Sequence, residues 1–153
     1  MWNKSGVEFA AYVPFYPDCM TNFIDDTDVA DRPIRIFQGG ADDYNPVAPC
    51  KAFVSRLRAA GRDAELTEYP NVWHSFDNPI GPELTIAKNS QTVRHCSIRE
   101  EPQGLLINAT TKEPFTYKDP CVEFDPHLGS NLAAANDAKR SVKGLFHTLF
   151  KLE

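Results

Sequence analysis

Long apolar runs are missing from this sequence. Its most apolar stretch, near residues 9–16, falls far short of the ~20 residues a spanning helix needs, so no membrane passage is expected. Basic clusters are missing too. The longest is Lys139-Arg140, and 16 Lys and Arg are outnumbered by 21 Asp and Glu, for a net charge of −5. That balance offers no positive footprint for nucleic acid and no patch for an anionic membrane surface. No two of the four cysteines stand in CxxC spacing, which argues against a zinc knuckle and a thioredoxin-like redox pair. Residues 1–30 lack the basic start, apolar stretch and small-residue cleavage site of a signal peptide. Instead Trp2-Asn3-Lys4-Ser5-Gly6 runs almost directly into apolar sequence, a start that suits a fragment or an internal initiation point.

What is present is ordinary globular chain. Its 153 residues are 42% hydrophobic and 24% charged, enough for one domain around one core. Residues 9–16 read as a buried strand closed by Pro17-Asp18-Cys19, with Pro14 expected where strand pairing is interrupted. The acidic connection Asp25-Asp26-Thr27-Asp28 leads to a second strand over 33–38, stopped by Gly39-Gly40. From 47 to 60 the period turns helical, with Cys50, Phe53, Val54 and Leu57 on one face and Gly61 placed to cap the end. A third strand, 64–69, ends in Pro70-Asn71. Strand, strand, helix, strand favours parallel strands with crossover helices. A closing helix spans about 132–152, its apolar stripe formed by Ala138, Val142, Leu145, Phe146 and Leu149, and Ser130 or Asn131 is its expected cap.

The segment 80–129 has weak periodicity, with short strands expected at 105–107 and 115–117. A loop that long needs fastening. A Cys96–Cys121 bridge would supply it, and Cys19 and Cys50 lie at strand and helix ends that can be neighbours. Cys19–Cys50 with Cys96–Cys121 is therefore the preferred of three connectivities; four buried thiols are the alternative.

Two stretches carry chemistry. Asp42 follows a glycine turn at the carboxyl end of the second strand, the edge where open α/β sheets gather functional residues. Alone, it would read as a helix-capping turn residue. His74, flanked by Trp73 and Phe76, follows the next strand at the same edge. Adjacent parallel strands would bring the two together as acid and base, with Asp43 as second choice for the acid. His147 lies in the closing helix. His95, Cys96, Cys121 and His127 match no common metal spacing, so no metal or cofactor is expected.

Phe15-Tyr16-Pro17-Asp18-Cys19, the block Gly39-Gly40-Ala41-Asp42-Asp43-Tyr44-Asn45-Pro46, and Glu68-Tyr69-Pro70 leading to His74-Ser75-Phe76-Asp77-Asn78-Pro79 together resemble the dienelactone-hydrolase family of α/β-hydrolases. The likeness is strongest over 7–79 and resumes in the closing helix. It implies the C-terminal part of an α/β-hydrolase fold with an incomplete sheet: a core at 7–79, a cysteine-containing insert at 80–129 and a closing helix at 130–153. It implies a hydrolase of carboxylic esters or lactones, with Asp42 as triad acid, His74 as triad base, and Trp73, Tyr44 and Phe76 as weak candidates for pocket walls. The insert resembles exported members, which favours disulfides and a periplasmic or secreted location.

The family order sets a nucleophile before the acid. Gly6, Gly39, Gly40, Gly61, Gly81, Gly104, Gly129 and Gly144 include no pair four apart, so neither G-x-S-x-G nor its cysteine variant occurs. Ser5 and Cys19 are poorly placed to replace it. By itself the chain is expected to be inactive, and to need the missing N-terminal half or self-association to cover its sheet edge. A non-catalytic remnant serving as a binding or assembly module is the competing expectation.

Overall fold

A computed structural model describes residues 8–152; the readings on Trp2 to Val7, Ser5 included, lie outside them. The central layer is parallel. Strand β2 (Ile34–Gly39) pairs with β3 (Ala64–Tyr69) in unbroken register from Ile34↔Ala64 to Gly39↔Tyr69, and α1 (Val47–Ala59) forms the crossover between them. Two-residue β1 (Thr21–Asn22) precedes β2 and belongs to a different sheet.

Residues 9–16 lie along the other edge of β2 as two isolated bridges, Tyr12↔Ile34 and Phe15↔Phe37, so the interruption expected at Pro14 reduces the expected strand to these two contacts. Pro14 is the reason. Tyr12 N donates to Pro33 O and Phe37 N donates to Pro14 O, yet Pro14 has no N–H to return.

Alternation along β2 buries both of its faces. Ile34 and Ile36 pack with Val54 and Leu57 of α1, whereas Phe37 points the other way, toward Val72, Phe76 and the closing helix α2 (Leu132–Phe150) through Ala134 and Ala138. The two helices therefore cover opposite faces of one sheet. Gly61, with φ 77°, lets the chain leave α1 in the left-handed region, donating its N–H to Arg58 O. Asn131 caps α2 by accepting from Ala134 N. The expected stripe on α2 is only partly covered: Ala138 is fully buried, whereas Phe146 is 39% exposed.

Segment 80–129 is more ordered than its sequence suggests. It holds β4 (Thr85–Ile86), β5 (Gln91–Thr92), β6 (Ile98–Glu101), β7 (Leu105–Asn108), β8 (Glu123–Phe124) and β9 (His127–Leu128). The expected strand at 105–107 is present as β7, but 115–117 forms none; Phe115 packs instead against a small core of Val93, Cys96 and Ile98. β6 pairs with β7 and also with β1, which joins the insert to the main body. Pairings two to four residues long leave no periodicity to read.

Both disulfides of the preferred connectivity are formed, Cys19–Cys50 and Cys96–Cys121, with Cα atoms 5.1 and 5.0 Å apart. Asn108, in a possible glycosylation pattern, is 4% exposed and donates its amide to Asp119 Oδ1, which leaves no room for a glycan. Among the described residues no helix is long and apolar enough to cross a membrane. Mass spectrometry of non-reduced peptides should link Cys96 to Cys121. Replacing both by Ser should lower unfolding stability by roughly 3–4 kcal/mol, the chain-entropy value for a loop of this length, as read from urea titrations.

Candidate active site

The ends of β2 and β3 lie level because their register runs to the last residue of each. The loops that leave them then touch along their backbones: Gly40 N donates to Tyr69 O and Ala41 N donates to Val72 O. This approach depends on Gly39. A Cβ there would stand 2.2 Å from Val72 O and 2.9 Å from its carbonyl carbon, so no side chain fits.

Asp42 is 5% exposed and its carboxylate is surrounded by donors. Oδ1 accepts from Tyr44 N at 2.9 Å and Asn45 N at 2.8 Å; Oδ2 accepts from Gln38 Nε2 at 2.9 Å. The turn thus folds onto its own carboxylate, and Pro46, not Asp42, occupies the cap position of α1. His74 Nδ1 lies 2.9 Å from Asp42 Oδ2. A carboxylate only accepts, so in a neutral imidazole bonded to it Nδ1 carries the proton and Nε2 keeps its lone pair. Among the described residues no side chain is hydrogen-bonded to Nε2.

Aromatic rings hold the imidazole on two sides. Tyr16 lies 4.3 Å from it between centroids, and Tyr44 4.6 Å with an edge-on inclination. Tyr16 takes φ 38°, a strained value for a residue with a side chain, and its OH donates to Asp77 Oδ1 at 3.0 Å. Burial, and next the bond to Asp77, hold the Tyr16 phenol above its ordinary value.

Of the other residues singled out from sequence, Trp73 stacks on His127 at 4.9 Å rather than on His74. Phe76 is 1% exposed and belongs to the core below the site. Asp43 turns away from His74 and binds Arg94 and His127. Cys19, Cys50, Cys96 and Cys121 are all in disulfides, and no group of three or more His, Cys, Asp or Glu among the described residues could hold a metal. An 870 Å³ cavity opens between α2 and residues 76–79, and His74 does not line it.

Gln38 and Tyr16 were missed. Gln38 had a legible signal: a polar residue in phase with Ile34 and Ile36 on the buried face of a strand needs a buried partner. Tyr16 had none, since its place beside His74 depends on how residues 9–16 dock on β2.

The arrangement is a buried carboxylate bonded to a histidine at the carboxyl edge of a parallel sheet, the edge where open α/β sheets gather functional residues. Residues 2–98 match the dienelactone hydrolase family. The chain belongs to that family. A crystal structure of esterase PE8 is similar with a TM-score of 0.35 and 21% identity, over 44% of this chain and 32% of that one, a likeness too slight to bear on function. No curated protein matches.

Two measurements probe this geometry. Gly39→Ala should force the two loops apart and destabilise the fold by about 1–3 kcal/mol, read as a lower urea midpoint. The folded pKa of Tyr16 lies above its unfolded value near 10.0, so its contribution to stability is present below that pH and lost as pH rises through the folded value. Asp77→Asn should therefore move the Tyr16 ionisation to lower pH in an alkaline absorbance titration, with Tyr16→Phe assigning the signal.

Proposed function

We propose that this chain supplies the acid and the base of a nucleophile–histidine–acid triad that hydrolyses carboxylic esters or lactones. The observation that carries the reading is the buried Asp42–His74 hydrogen bond of 2.9 Å, which leaves Nε2 as a free base. Family membership supplies the reaction class. His74 Nε2 takes the proton of a serine or cysteine as that nucleophile attacks the substrate carbonyl. Asp42 keeps Nδ1 protonated and stabilises the imidazolium. The same proton then passes from Nε2 to the departing alcohol, and His74 next deprotonates the water that releases the acyl group. Tyr44 and Tyr16 flank the imidazole and would border the acyl group; Trp73 and Phe76 stand one layer back.

The nucleophile comes from outside these residues, for no elbow pattern occurs among them. It arrives on another strand, either from the N-terminal half of the hydrolase fold or from a second chain. The free edge of 9–16 would receive it: Phe9 is 68% and Tyr12 37% exposed there. Two disulfides suit an oxidising, exported location. The competing reading, a binding or assembly remnant, is favoured by the missing elbow alone.

In protein that includes the nucleophile strand, His74→Ala should abolish turnover of a p-nitrophenyl ester, and Asp42→Asn should lower kcat by about 10⁴-fold, with circular dichroism unchanged. The 153-residue chain assayed alone should show no turnover above background. Undiminished turnover in His74→Ala would sink the catalytic reading and leave the remnant.

A further inference from the structure

Segment 80–129 grips both loops of the candidate site. Arg94 Nη1 donates to Asp43 O at 3.1 Å and to Asp43 Oδ2 at 3.0 Å. His127 donates its backbone N–H to Asp43 Oδ1 at 2.8 Å, and its Nδ1 lies 2.8 Å from Asp43 Oδ2. Thr92 Oγ1 donates to Tyr44 O at 2.7 Å. On the histidine side, Gly129 N donates to His74 O at 2.9 Å, and the His127 ring stacks on Trp73, the residue before His74.

These attachments fall where they control the acid. Fixing the carbonyl and carboxylate of Asp43, and the carbonyl of Tyr44, fixes the peptide planes whose N–H groups at Tyr44 and Asn45 hold Asp42 Oδ1. The Arg94 side chain is 17% exposed, so its bonds are less screened than those of a surface pair. Its guanidinium also reaches Glu123 Oε2, with Nη2 at 2.6 Å and Nε at 2.7 Å. Arg94 stands two residues before Cys96 and Glu123 two after Cys121, so the second disulfide ties together the two strands that hold this fork. β5 and β8 pair beside it, Thr92 opposite Glu123.

We infer that segment 80–129, braced by the Cys96–Cys121 disulfide, is a positioning clamp for the Asp42–His74 pair, with Asp43, Arg94 and His127 as its positioning residues. This rests on the catalytic reading of that pair. The clamp acts through Asp43 on Asp42 and through His74 O on the base, and touches neither reacting atom. Small misplacements of a catalytic group lower the rate steeply while binding changes little.

The test reads the Asp42–His74 bond directly, by NMR of the His74 Nδ1 proton in the 153-residue chain. In Arg94→Met and Asp43→Ala its exchange with water should speed up about 10-fold, the protection that one weakened hydrogen bond gives up. The Cys96→Ser/Cys121→Ser pair should shift it the same way, Arg94→Lys should restore part of the protection, and Arg35→Met on the far edge should change nothing. In nucleophile-bearing protein, Arg94→Met should lower kcat about 10- to 100-fold with KM nearly constant. Exchange at the parent rate in folded Arg94→Met would overturn the clamp; if Asp43→Ala does not fold, Arg94→Met and Arg94→Lys decide. That failure would leave the catalytic reading intact, and undiminished turnover in His74→Ala would remove the catalytic reading while leaving the exchange result.

Discussion

The site rests on a close approach between two stretches of backbone. At the carboxyl end of β2, Gly39 lies against the carbonyl of Val72 with no space for a Cβ, and the amides of Gly40 and Ala41 bond to the loop that follows β3. Parallel neighbours in unbroken register end at the same level, and the missing side chain lets their exit loops stack. Asp42 comes three residues beyond that contact on one chain, and His74 two residues beyond on the other. Their meeting is a consequence of backbone packing, which explains how two residues 32 apart in sequence share a hydrogen bond at the sheet edge.

A carboxylate out of water is costly unless donors replace its hydration. Asp42 has four: two amides of its own turn, the Gln38 side chain and the His74 ring. Three of them belong to β2 and to the turn between β2 and α1, and the fourth, the imidazole, comes from the loop after β3. Tyr16 and Tyr44 confine its ring, and the insert holds the loop on which it sits. Such support around the imidazole is what the proposed role of His74 as a general base would draw on.

Much of the body was legible in the sequence because its signals are local. Ile34, Ile36 and Phe37 alternate, Cys50, Val54 and Leu57 repeat at helical spacing, and Gly61 ends the helix where a left-handed residue is needed. Strand end and loop position placed Asp42 and His74 at one edge. Residues 9–16 read as a strand interrupted at Pro14, and the interruption leaves only two isolated bridges because Pro14 has no donor to return. The insert was read as loop because six short strands, bound by tertiary pairs and a disulfide, carry no period.

What the sequence by itself determined is the order of elements, the two faces of β2, the family, and a candidate aspartate and histidine at one sheet edge. Those follow from nearest-neighbour propensities and from motifs, which need no knowledge of what lies across the chain. Only the tertiary structure decided that Asp42 rather than Asp43 bonds His74, that Gln38 is its third support, that Tyr16 lies against the ring, and that Asp43 is held by Arg94 and His127. The sequence ranks Asp42 above Asp43 by motif but does not show what either carboxylate meets. Their side chains point in different directions from one turn, so each meets a different histidine, and only folding brings those histidines within reach.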